Sequence, residues 1–137
     1  MIETKLNLAV DSPSFEMSYG DPELIYEDFC QIGKGNFGCV YSANCKLTGE
    51  TVAIKKNEVD TKKDNERYKE IERELNIMRM LNHPNCIILK DIFLQPSIVW
   101  IVMEYCVGSA LDLIKISGGL TELHISYIDF YTLTALK

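Results

Sequence analysis

Gly33, Gly35 and Gly38 lie in the run Ile-Gly-Lys-Gly-Asn-Phe-Gly-Cys-Val-Tyr, residues 32–41, and the residues after them restrict the fold more than the glycines themselves do. The continuation, Cys-Val-Tyr-Ser-Ala, is strand material, whereas the glycine turn of a dinucleotide-binding βαβ unit opens a helix. A P-loop is excluded because no Gly-Lys-Ser/Thr comes after the glycines. The loop therefore belongs to a β-hairpin. On the loop alone, a plain glycine-rich hairpin and a nucleotide flap both stay open.

The residues around the loop extend the hairpin pattern. Short strands are predicted over Phe29 to Gly33, Gly38 to Cys45 and Thr51 to Lys56, the last after a Thr48-Gly49-Glu50 turn. Tyr68 to Leu81 reads as an amphipathic helix, with Ile71, Leu75 and Met78 at helical spacing among Glu, Lys and Arg. Pro84 predicts its end, because the residue before a proline avoids helical geometry. Strands over Cys86 to Leu94 and Ile98 to Tyr105 come next, separated by Gln95-Pro96-Ser97. A short helix is expected over Ala110 to Lys115, and another from the N-cap Thr121 with Glu122 in its first turn. The order predicts an α+β fold: a five-stranded antiparallel sheet with one long helix packed on it, then further helices. Met1 to about Gly20 shows no periodicity and reads as a loosely ordered leader.

Two side chains give the hairpins a chemical direction. In Val52-Ala53-Ile54-Lys55 the strand period sends Ala53 and Lys55 to one face. If that face lies under the loop, Ala53 leaves room for a flat purine, Lys55 reaches phosphates as a point charge, and Val40 forms part of the other wall. On the helix, Glu74 falls about 60° from Ile71, inside the apolar stripe. A buried acid needs a cation, and Lys55 is the natural partner. Glu70 and Glu72 point outward.

Composition removes other classes of function. With 137 residues, 47% of them hydrophobic, the chain has the length of one domain with a real core. A formal charge of −6 disfavours nucleic acid and anionic membrane as partners. The longest strongly apolar run, Ile98 to Met103, is too short to span a bilayer, and the first residues are no secretory signal. Cys30, Cys39, Cys45, Cys86 and Cys106 are scattered without CxxC spacing, so neither a disulfide framework nor a zinc site is expected. These features predict a soluble, cytoplasmic protein.

The glycine loop with Val40, the Val-Ala-Ile-Lys strand and the helix glutamate resemble the first half of the protein-kinase signature set. Asp21-Pro22-Glu23, His83-Pro84-Asn85 and Trp100-Ile-Val-Met-Glu-Tyr-Cys-Val-Gly-Ser-Ala are similar to the TAO (thousand-and-one amino acid) branch of Ste20-like serine/threonine kinases. The resemblance runs from about Asp21 to Lys137. It implies a leader over 1–22, an N-lobe and hinge over 23–106, and the start of a C-lobe over 107–137. It implies ATP as ligand, with Ile32 and Val40 covering the adenine. Gly33, Gly35 and Gly38 would let the flap close over the phosphates, with Lys34, Asn36 and Cys39 in it and Phe37 at its tip. Lys55, held by Glu74, would contact the α- and β-phosphates. Met103 would stand behind the adenine, the Glu104 carbonyl and Cys106 amide would meet the purine edge, and Ser109 would face the ribose. The activity implied is phosphoryl transfer to protein serine or threonine in stress-responsive MAP-kinase cascades.

The sequence departs from the full pattern. It has no His-Arg-Asp, Asp-Phe-Gly or Ala-Pro-Glu, the segments that supply the base and the Mg²⁺ ligands. The expectation is a partial kinase, inactive alone, whose alternative use is as a non-catalytic interaction module competing with a complete kinase. Leu123, Ile125, Tyr127, Ile128, Phe130, Tyr131, Leu133 and Leu136 point in nearly every direction along the last helix, which invites self-association.

Overall fold

The computed structural model describes residues 18–35, 38–59 and 65–136. Five antiparallel strands form one sheet: β1 (Tyr26–Gly35), β2 (Gly38–Cys45), β3 (Thr51–Glu58), β4 (Leu89–Gln95) and β5 (Ile98–Glu104), in the order β1-β2-β3-β5-β4. One long helix, α1 (Asn65–Met80), lies between β3 and β4 in sequence, and α2 (Ala110–Ser117) and α3 (Glu122–Ala135) come after β5. The α+β architecture expected from the hairpin and helix patterns is present. Among the described residues no helix is long and apolar enough to cross a membrane.

Strand alternation builds two cores, one on each face of the sheet. Val52, Ile54, Trp100 and Val102 join Tyr26, Ala43 and Phe93 on one face. Val99, Ile101, Leu89 and Ile92 meet Ile71 and Leu75 of α1 on the other. This explains the unbroken apolar run in β5: a strand flanked by β3 and β4 and covered on both faces has no solvent side to make polar.

Several boundaries differ from the sequence expectation, each for a local reason. β1 begins at Tyr26, not Phe29, because a bulge between Glu27 and Cys30 puts Asp28 at φ 57° and breaks the two-residue alternation that marks a strand. The Asp28 carboxylate accepts a hydrogen bond from the Asn44 amide at 3.2 Å, which anchors the bulge. β4 begins at Leu89 rather than Cys86, since Cys86 N–H donates back to His83 in a turn and Ile87 and Ile88 stay exposed. α1 starts three residues earlier than its apolar stripe, at Asn65.

The end of the expected leader is also tied down. Ser18 pairs in parallel with β4, its N–H donating to the Ile92 carbonyl at 3.0 Å and its carbonyl accepting from Leu94 N–H at 3.1 Å. A 3₁₀ turn over Pro22–Leu24, capped by Asp21, buries Pro22 and leads into β1. The leader before Ser18 lies outside the described residues.

Both later helices carry capping boxes. Ser109 caps α2 with Asp112, and Thr121 caps α3 with His124 in the place that Glu or Gln usually takes. The Asn85 amide donates to the Tyr131 carbonyl at 2.8 Å and the Thr134 hydroxyl at 3.0 Å, joining the turn after α1 to α3.

Candidate nucleotide site

The centre of the site is made by β2, β3 and β5 in register. Val40 lies opposite Lys55, and Lys55 opposite Ile101; Ala53 lies opposite Ser42 and Met103. Period-two alternation sets these neighbours, so Val40, Ala53, Lys55 and Met103 follow from strand pairing alone.

The structure brings Lys55 and Glu74 together. Lys55 Nζ donates to Glu74 Oε1 at 2.7 Å and to Oε2 at 2.9 Å, a forked contact across β3 and α1. The expected burial of Glu74 needs correction. Its side chain is 40% exposed and that of Lys55 24%, because the covered stripe of α1 centres on Ile71 and Leu75 while Glu74, Ile77 and Leu81 lie along its open edge. The pair is water-accessible and screened, so it positions the lysine more than it stabilises the fold.

The glycine hairpin adjoins this centre through β2. Gly33 pairs with Val40, Lys34 with Cys39 and Gly35 with Gly38; the tip residues Asn36 and Phe37 lie outside the described residues. The three glycines are not equivalent. Gly38 has φ 139°, and a Cβ there would collide with the Lys56 carbonyl oxygen. At Gly33 a Cβ would meet Val40 at an ordinary 3.6 Å, and at Gly35 it would meet nothing. The fold itself thus demands only one of them.

A cleft of about 830 Å³ is bordered by Val40, Lys55, Glu74 and Met103 and extends along α1 past Met78 to Leu81 and Ile87. Ile32, half exposed, Ala53, Glu104 and Cys106 do not border it, and neither do Gly33, Lys34, Gly35, Gly38 and Cys39 of the flap. The Glu104 carboxylate is committed elsewhere, accepting from Ile88 N–H at 3.0 Å. Ser109 is committed too: its hydroxyl donates to the Asp112 carboxylate at 2.6 Å and accepts from Asp112 N–H, so the side chain that position alone suggested for a ribose is a helix cap. Among the described residues no cluster of three His, Cys, Asp or Glu side chains could hold a metal ion.

Some participants gave little signal in the sequence. Lys56, the neighbour of Lys55, projects to the opposite face, where its ammonium lies 3.7 Å from the Trp100 ring centroid and 4.8 Å from those of Phe29 and Tyr41. Burial lowers its pKa. Asn57, fully buried, shares the Ala53 and Lys55 parity, and that parity was the only available sign.

The protein kinase domain pattern matches residues 26–137. Serine/threonine-protein kinase Tao of Drosophila melanogaster is 51% identical over 96 residues, 70% of this chain and 9% of the relative. Serine/threonine-protein kinase TAO1-B of Xenopus laevis is 40% identical over 117 residues, 85% of this chain and 12% of the relative. Serine/threonine-protein kinase SULU of Caenorhabditis elegans is 40% identical over 118 residues, again 85% and 12%. The chain therefore spans only about a tenth of the length of these curated relatives. With a five-stranded sheet, a strand lysine forked onto a helix glutamate and a glycine hairpin on the neighbouring strands, all inside the matched residues, the chain belongs to the protein kinase family, in its TAO-like serine/threonine branch.

Proposed function

We propose that this chain is the ATP-holding portion of a serine/threonine protein kinase. The observation that carries the reading is the forked Lys55–Glu74 contact at the edge of the cleft. Glu74 holds the ammonium where its remaining N–H donor can meet phosphate oxygens. Val40 and Met103 supply apolar surface for a purine; Ile32 and Ala53 beside them, and the Glu104 carbonyl and Cys106 amide at its edge, are assigned from the family pattern, since none of the four borders the cleft. Gly33 and Gly35 support the reading, because the fold has room for a side chain at both and a phosphate approaching the flap would not. Lys34, Asn36, Phe37, Gly38 and Cys39 complete the flap. Bound ATP supplies the γ-phosphoryl group for a protein hydroxyl in the complete protein.

Among the described residues no three His, Cys, Asp or Glu side chains come together as a magnesium site would require. The base and metal-binding motifs of the family are absent from the sequence, so phosphoryl transfer is assigned to the complete protein and the MAP-kinase-cascade role likewise. Binding of a fluorescent ATP analogue tests the assignment. Lys55→Met is expected to weaken it about ten-fold or more, as for a lost charge-assisted contact, with the circular dichroism unchanged. Undiminished affinity in a folded Lys55→Met chain would remove the phosphate role, and steady phosphoryl transfer by this chain alone would overturn its division from the catalytic segments.

A further inference from the structure

β4 and β5 pair as far as Leu89 opposite Met103, and the next residues outward are Ile88 and Glu104, the last residue of β5. Two residues facing each other at this position of an antiparallel ladder normally exchange both backbone bonds. Here only one of the two is a backbone bond: Glu104 N–H donates to the Ile88 carbonyl at 3.0 Å. In the return direction Ile88 N–H donates to Glu104 Oε1, also at 3.0 Å, so the carboxylate takes the place of the Glu104 backbone carbonyl. Charge favours this exchange, since a hydrogen bond to an ionised acceptor is roughly twice as strong as one to a neutral carbonyl.

The Glu104 carbonyl is thereby left out of the β4–β5 ladder. Its N–H and C=O turn the same way, toward β4, so β3 does not take the carbonyl either, although Val52 lies opposite. We infer that Glu104 is a positioning residue: its carboxylate holds Ile88 N–H in place of its own carbonyl and keeps that carbonyl open as an acceptor for the 6-amino group of a purine. The inference rests on the nucleotide reading above and adds to it a role for a side chain that does not itself border the cleft. Without the carboxylate, the acceptor left opposite Ile88 N–H is the carbonyl of residue 104, and the ordinary pair closes over the oxygen that the purine would use.

Displacement of a fluorescent ATP analogue compares ATP with purine riboside triphosphate, which is ATP without the 6-amino group. The unsubstituted chain is expected to prefer ATP about three- to ten-fold, the range of one hydrogen bond. In Glu104→Ala the preference should fall to within about two-fold, while Glu104→Gln, whose side-chain carbonyl still accepts from Ile88 N–H, should keep it. NMR without nucleotide gives a second readout: the hydrogen-bond coupling of Ile88 ¹⁵N should run to the Glu104 carboxyl carbon, and in Glu104→Ala to the backbone carbonyl carbon of residue 104. Should Glu104→Ala fail to fold, the coupling in the unsubstituted chain and the Glu104→Gln preference decide. A coupling to the backbone carbonyl in the unsubstituted chain overturns the inference. So does a preference for ATP that is unmoved in folded Glu104→Ala or lost in folded Glu104→Gln, and these results leave the nucleotide reading standing. Failure of the unsubstituted chain to bind either nucleotide removes both.

Discussion

At Gly38 the left-handed backbone and the nearby Lys56 carbonyl both exclude a side chain, whereas Gly35 has neither restriction. Gly38→Ala is therefore expected to destabilise the chain by more than about 1 kcal/mol, and Gly35→Ala by less than about 0.5 kcal/mol, in urea unfolding. Tyr26 offers a second single-residue test. Burial, and then the carboxylate of Asp91, raise its pKa from 10.0 to about 12. The folded state keeps that proton longer than the unfolded state, so its stabilising contribution is complete below pH 10.0 and lost as pH rises toward about 12. Tyr26→Phe should flatten the loss of stability over that alkaline window in a denaturation series. The sequence marked Gly38 and Lys55 through motif and spacing. It could not mark Tyr26 or Lys56, whose surroundings come from β4 and β5.

Among the elements, α1 shows how far periodicity reaches. Its spacing identified Ile71 and Leu75 as core, and both are buried. The same stripe implied cover for Met78 and Leu81; Met78 packs on the core, but Leu81, one residue past the end of α1, is 45% exposed. Leu75→Ala is expected to cost about 2–5 kcal/mol by leaving a cavity, while Ile77→Ala, at an exposed position, should stay within about 0.5 kcal/mol. Thermal unfolding of the two variants side by side checks the difference. β1 was legible only in part for the opposite reason: the Asp28 bulge hides a strand that pairing with β2 maintains. Asn85 stood out as part of a motif, yet its bonds to Tyr131 and Thr134 join segments far apart in sequence and had no local sign.

For the molecule as a whole, the largest unbalanced feature is α3. Leu123, Tyr127, Phe130 and Leu133 are each more than half exposed, and α2 adds Leu111 and Ile116. Apolar surface on this scale drives association. Sedimentation of this chain alone is expected to show concentration-dependent oligomers, and Phe130→Asp should shift the distribution toward monomer; a monodisperse wild-type chain would count against it. The sequence by itself determined the class of fold, the hairpin carrying the glycines, the long helix, and the lysine and glutamate that meet between them. Those depend on periods and spacings within one segment. Tertiary structure alone decided the β1-β2-β3-β5-β4 order, the half-exposed state of the Lys55–Glu74 pair, the use of Ser109 as a cap and the unpartnered amide of Asn57. Each of these depends on which distant segment a side chain faces, and local chemistry carries no record of that.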